Sequence, residues 1–131
     1  MRNSKQSEII KADITGRCDH PTAAMVYESV RKTSPNISLG TVYRNLDRLA
    51  KGGEIMRISV PHRADRFDVT VKEHYHLICE ECGGTTDVES ARITRALKRA
   101  FAESSGFAID EVQLVGLGAC ATCQKGGTCQ N

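Results

Sequence analysis

Apolar residues recur at helical spacing three times in the first half of the chain. Ile9, Ile10 and Ile14 mark a helix over about residues 4–14, with Ser4 placed to cap it. Residues 15–19 (Thr-Gly-Arg-Cys-Asp) read as a loop. Ala23, Val26, Tyr27 and Val30 mark a second helix, which His20-Pro21 opens with Pro21 at its first position and Ser34-Pro35-Asn36 stops. Leu39, Val42, Leu46 and Leu49 form the core stripe of a third, over residues 39–51. Ser38 is its expected N-cap, and Gly52-Gly53 its end. The period then changes from three or four to two. Residues 55–60 alternate as a strand, 61–65 turn, and 66–69 return.

The second half opens with a polar junction over 70–73. From His74 the chain alternates again, so that His74, His76 and Ile78 point one way and Tyr75, Leu77 and Cys79 the other. Residues 85–88 read as a pairing strand. Ser90 then caps a helix to about 105, with Ile93, Leu97, Ala100 and Phe101 on its apolar face and Gly106 as its end. Residues 107–117, rich in Val, Ile and Leu, read as a last strand. The class is α+β. Three short helices followed by a β-hairpin is the order of a winged helix-turn-helix, expected over residues 1–70. A hinge over 71–73 leads to a small α/β unit over 74–131. The core of that unit is too thin to stand comfortably alone, and a metal staple and dimerisation are the two remedies.

Length and composition are ordinary for a soluble protein: 131 residues fit one domain or two small ones. No run of about 18 apolar residues exists and the first 14 residues lack the apolar core of a signal peptide, so the expected location is cytoplasmic. The net charge of +2 hides a split. Residues 1–70 carry twelve Lys and Arg against eight Asp and Glu, whereas residues 71–131 carry six against eight. The basic first half favours a polyanion partner there.

Six cysteines in a reducing compartment point to metal or redox use rather than a disulfide scaffold. Cys79-Glu80-Glu81-Cys82 and Cys120-Ala121-Thr122-Cys123 each aim two thiolates at one centre, and together complete a closed tetrahedral site suited to structural zinc. The 37 residues between Cys82 and Cys120 exceed the usual zinc-ribbon interval, leaving room for a helix and two strands. Zinc binding of this kind supplies roughly 10–16 kcal/mol of apparent free energy in small peptides. A thioredoxin-like pair starts a helix, and neither pair here is expected to precede one. Cys18 and Cys129 are left over as bystanders, Cys129 in a Gly-rich tail. His74 and His76 share a strand face opposite that of Cys79, so a second metal is expected on that side.

The outer face of the third helix carries Thr41, Tyr43, Arg44, Asn45, Arg48 and Lys51. These side chains bond phosphates and base edges or touch thymine methyls, though a basic solvated face has the same composition. In the winged-helix order this helix enters a major groove, and Arg63 at the hairpin tip reaches phosphate. His62 beside it has no evident partner and is expected in solvent or near phosphate.

Three stretches carry a resemblance: His20-Pro21-Thr22-Ala23, then Pro35-Asn36-Ile37-Ser38-Leu39-Gly40-Thr41-Val42-Tyr43-Arg44-Asn45-Leu46, then His74-Tyr75-His76-Leu77-Ile78-Cys79 with Cys82-Gly83. In combination they resemble the ferric uptake regulator family, over about residues 4–123. The resemblance implies a homodimeric, metal-dependent repressor that binds an inverted-repeat operator in double-stranded DNA. It needs no membrane and no organic cofactor. It implies a regulatory site of His20, Asp68, His74, His76 and Asp87 holding Fe(II) or Mn(II). Three imidazoles and two carboxylates suit those ions and leave one position open. Asp87, where iron-uptake members typically have Glu, and Arg66-Phe67-Asp68 look like the peroxide-sensing branch. In that branch Fe(II) and hydrogen peroxide oxidise ligand histidines, here His20 and His74, and DNA is released. The sequence departs from the family twice. The further helix that members usually carry ahead of the segment matching residues 1–14 is absent. The His that in many members precedes the third Cys is missing too, since residues 116–120 are Gly-Leu-Gly-Ala-Cys and no His follows His76.

Three other readings compete. An iron- or zinc-uptake regulator of the same family would ignore peroxide. A metalloenzyme would use the open metal position, but no dedicated general base or phosphate loop accompanies it. A zinc-ribbon interaction module leaves the basic helix unexplained.

Overall fold

A computed structural model describes residues 4–71 and 74–127 of the chain. Its contacts divide into two compact units, residues 1–71 and 72–131. Lys72 and Glu73 of the expected hinge, Cys129 of the tail and the side chain of Ser4 lie outside the described residues.

The first unit holds α1 (Ser4–Thr15), α2 (Ala23–Val30), α3 (Leu39–Lys51) and a hairpin of β1 (Met56–Ile58) and β2 (Arg66–Asp68). Ile10, Ile14, Val26, Val30, Val42, Leu46 and Leu49 from the helices close over one core, joined by Ile55 and by Phe67 from β2. Each fully buried aliphatic or aromatic side chain of this kind is worth about 1.5–3 kcal/mol relative to exposure. Ser38 caps α3 as its sequence position predicts, accepting from the backbone N–H of Thr41. The hairpin pairs Met56 with Asp68, Arg57 with Phe67 and Ile58 with Arg66.

Several local expectations are corrected here. Thr22, not Pro21, opens α2: its hydroxyl accepts from Met25 N–H, and residues 20–22 run extended or turned alongside β2, where Thr22 bridges Arg66. Leu39 is not part of the core stripe but 40% exposed, since it lies at the first position of α3, ahead of the packed turns. β1 is three residues long rather than six.

The second unit holds β3 (Tyr75–Cys79), β4 (Thr85–Val88), α4 (Ala91–Ser105), β5 (Val115–Gly118) and α5 (Ala121–Gln124). The sheet order is β4-β3-β5, with β4 antiparallel and β5 parallel to β3. Ser90 caps α4 at Ile93 N–H, and Gly106 ends it in the left-handed conformation (φ 76°), where glycine carries no Cβ penalty. The strand expected over 107–117 is short. Only Val115–Gly118 forms a strand; just ahead of it the Leu114 carbonyl still accepts from His76 N–H at 3.3 Å, while Phe107 is 66% exposed. The apolar face of α4 is likewise open. None of its residues is buried, and Phe101 is 46% exposed. In this unit Tyr75, Ile78, Cys79 and Val112 are the buried apolar residues among those described.

Candidate metal centres and basic helix

β3 runs into a tight turn at Cys79, and β5 returns in parallel so that Cys79 lies opposite Gly118. That register brings Cys120 and Cys123 to the turn holding Cys79 and Cys82. The four sulfurs all lie within 4.8 Å of one another. Thiolates on one zinc at about 2.3 Å stand roughly 3.8 Å apart, so the four sulfurs lie close enough for one ion to draw them together. Gly83, at φ 75°, lets the turn close. Backbone N–H groups point at the sulfurs: Cys120 and Cys82 donate to Cys79 Sγ at 3.3 and 3.5 Å, and Gly84 donates to Cys82 Sγ at 3.4 Å. Those of Cys120 and then Cys82 pull the Cys79 thiol down to about 6, so it stands as thiolate at neutral pH, the form a metal binds. One sequence argument fails here. Cys120 is the N-cap residue of the one-turn helix α5, so the second pair does open a helix. Convergence of all four sulfurs, rather than the surroundings of either pair, favours a metal over redox use.

The histidines of β3 take part in a different arrangement. His76 lies opposite Asp87 in the β3–β4 register. One carboxylate oxygen of Asp87 stands 3.6 Å from His76 Nε2 and 3.8 Å from His74 Nε2, and the two rings are 4.4 Å apart between centroids. Both imidazoles are buried while the carboxylate is 42% exposed. In the first unit, His20 Nε2 faces Asp68 Oδ2 at 3.2 Å. The other carboxylate oxygen of Asp68 accepts from Thr70 N–H at 3.0 Å, which fixes the side chain. Atoms sharing an ion at about 2.1 Å stand roughly 3 Å apart when adjacent and 4 Å when opposed, so each half is spaced for one. His20 has φ 50°, a left-handed conformation unusual for a residue with a Cβ.

α3 presents Tyr43, Arg44, Arg48 and Lys51 to solvent, with Thr41 half-buried. Lys51 pairs with Asp47 at 2.9 Å. Asn45 does not belong to that face. It is 1% exposed, accepts from Ser7 of α1 at 2.7 Å and from Arg48 at 3.1 Å, and donates to the Thr41 carbonyl at 2.8 Å. A buried amide must satisfy its donors and acceptors inside the protein, and this one does so by joining α1 to α3. Arg63 lies exposed in the hairpin loop beside His62, which is also exposed with φ 62°. Cys18 is exposed in the loop before His20.

A model of the ferric uptake regulator family matches residues 1–116. The chain is 30% identical to the peroxide operon regulator of Bacillus subtilis over 125 residues, which are 95% of this chain and 86% of that one. The chain belongs to the ferric uptake regulator family. Its α+β fold is shared with a Helicobacter pylori ferric uptake regulator (TM-score 0.81, 24% identity, 93% of this chain and 81% of that one). A zinc-bound manganese uptake regulator aligns with a TM-score of 0.64 at 28% identity, over 89% of this chain and 90% of that one. Members of the ferric uptake regulator family are transcriptional regulators, not enzymes, and the metalloenzyme reading is set aside. Among the described residues, no helix is long and apolar enough to cross a membrane.

Proposed function

We propose that this chain is a homodimeric, metal-dependent repressor that lets go of DNA when hydrogen peroxide oxidises its ligand histidines. The observation that carries this reading is the carboxylate at position 87. It is an Asp, opposite His76 and within 3.8 Å of both imidazoles, in a chain 30% identical to a peroxide operon regulator.

On this reading the first unit is a winged helix. α3 enters a major groove, Arg44 reads base edges, Thr41, Tyr43, Arg48 and Lys51 support it, and Arg63 holds phosphate. Asn45 takes no part in contact and instead fixes Arg48. Cys79, Cys82, Cys120 and Cys123 hold zinc with no position left for a substrate, so that site stays fixed. His20 and Asp68 form one half of the regulatory site, and His74, His76 and Asp87 the other. Held on a common ion, the halves fix the junction over 70–73 and with it the spacing of the two recognition helices over an inverted repeat. Dimerisation belongs to the second unit, whose apolar α4 face is open in a single chain.

Fe(II), when bound there, supplies the one-electron chemistry that activates hydrogen peroxide; Mn(II) supports the bound state without it. For each histidine oxidised, His20 or His74, one hydrogen peroxide would be consumed, one of its oxygen atoms passing to the imidazole and the other leaving as water. An oxidised imidazole donates poorly, so the two halves part and DNA is released.

A second reading, an uptake regulator indifferent to peroxide, is favoured by the likeness to the zinc-bound manganese uptake regulator. Operator DNA selected from a random pool separates them. Chelation should release DNA under both readings. Under ours, micromolar peroxide releases it from the Fe(II) form and leaves the Mn(II) form bound. Retention by both forms would favour the uptake regulator.

A further inference from the structure

His20 stands in a left-handed backbone conformation that a non-glycine residue adopts only at a cost, so something must hold it there. The neighbouring strand β2 does. Nη1 of Arg66 donates to two consecutive carbonyls, those of Asp19 at 3.1 Å and His20 at 3.3 Å. The next residue, Phe67, donates its N–H to the Pro21 carbonyl at 2.9 Å, and Thr22 bridges Arg66. From the other side, Arg17 grips the Asp19 carboxylate through Nε and Nη2, both at 2.9 Å. It also reaches Asp13 of α1 at 3.3 Å. The 19–22 turn is therefore stitched along its backbone to β2 and through Asp19 to α1.

Arg66 and Asp68 are two apart on β2 and share a face. We infer that they act as a pair. Arg66 is a positioning residue that clamps the backbone of the His20 turn, while Asp68 meets the imidazole that the clamp delivers. The geometry makes half of the regulatory site preorganised before any ion arrives. This inference rests on the regulatory reading above and adds to it a group that never touches the ion. Groups that orient metal ligands typically change metal affinity by about 10–100-fold when removed. A lysine at 66 keeps a charged donor, but its shorter stem places that nitrogen short of the position Nη1 holds between the two carbonyls, and so it clamps them less well.

The test is Mn(II) binding by calorimetry to the zinc-loaded, full-length chain, comparing wild type, R66A, R66K, H20A and R66A/H20A. Amide NMR signals of Asp19, His20 and Thr22 are recorded in the Mn(II)-free state. We expect R66A to weaken Mn(II) by about tenfold or more, R66K to fall between it and wild type, and R66A to add under about twofold on top of H20A. The signals of Asp19, His20 and Thr22 should shift in R66A and R66K without Mn(II). If R66A does not fold, R66K carries the same comparison. Additive losses in the double variant, full affinity in R66A, or unmoved signals would overturn the clamp while leaving the regulatory site intact. An unchanged affinity in H20A would overturn the regulatory site and the clamp together.

Discussion

Two residues carry most of the functional argument, and each depends on where its side chain can reach. Arg44 lies on the exposed face of α3, where its guanidinium can span two acceptors on one base. Arg44→Ala should weaken operator binding by about 1–3 kcal/mol while changing binding to random DNA far less, which a competition titration measures. Asp87 is the shorter of the two acidic side chains and sits directly across from His76. Asp87→Glu should keep Mn(II)-dependent operator binding and lose peroxide release of the Fe(II) form; peroxide sensitivity equal to wild type would sink the branch assignment. Asn45 teaches the opposite lesson. Read from the sequence, it belongs with its neighbours on the basic face. Its burial is decided by Ser7, 38 residues away, and helical period alone does not contain that contact.

At the scale of elements, what is local in its causes was legible and what depends on a partner was not. Ser38 and Ser90 cap α3 and α4 and Gly106 ends α4, because a cap is settled by a few consecutive residues. The alternation of residues 74–79 divides histidines from the first thiol, and the two ligand sets in the second unit follow that division. The start of α2 was misplaced because Pro21 and Thr22 are both acceptable openers. Pairing with β2 decides between them, holding Pro21 by its carbonyl. Residues 107–113 have strand composition but pair with no strand among the described residues, and propensity without a partner does not make a strand. α4 has the apolar stripe expected of it, and nothing among the described residues buries it. A second copy is the partner proposed here. Phe101→Glu should therefore shift the chain from dimer to monomer in sedimentation at micromolar concentration, with the zinc content unchanged. A dimer of wild-type strength would place the interface elsewhere.

Across the whole molecule, on the proposed reading, the chain pairs a part built to stay with a part built to yield. The four cysteines join the end of β3 to the end of β5 and α5 within one unit. The second ligand set, as proposed, is drawn from both units, His20 and Asp68 from one and His74, His76 and Asp87 from the other. On the proposed reading this is why oxidation of a few atoms suffices. It leaves the zinc-held unit and its dimer in place and removes only what ties the winged helix to it. The most direct measurement of that claim is peptide mass spectrometry after peroxide treatment of the Fe(II) and Mn(II) forms. A gain of one oxygen on the peptides bearing His20 or His74, in the Fe(II) form alone and in step with DNA release, is the result expected. DNA release with those histidines unmodified, or equal modification with Mn(II), would contradict it.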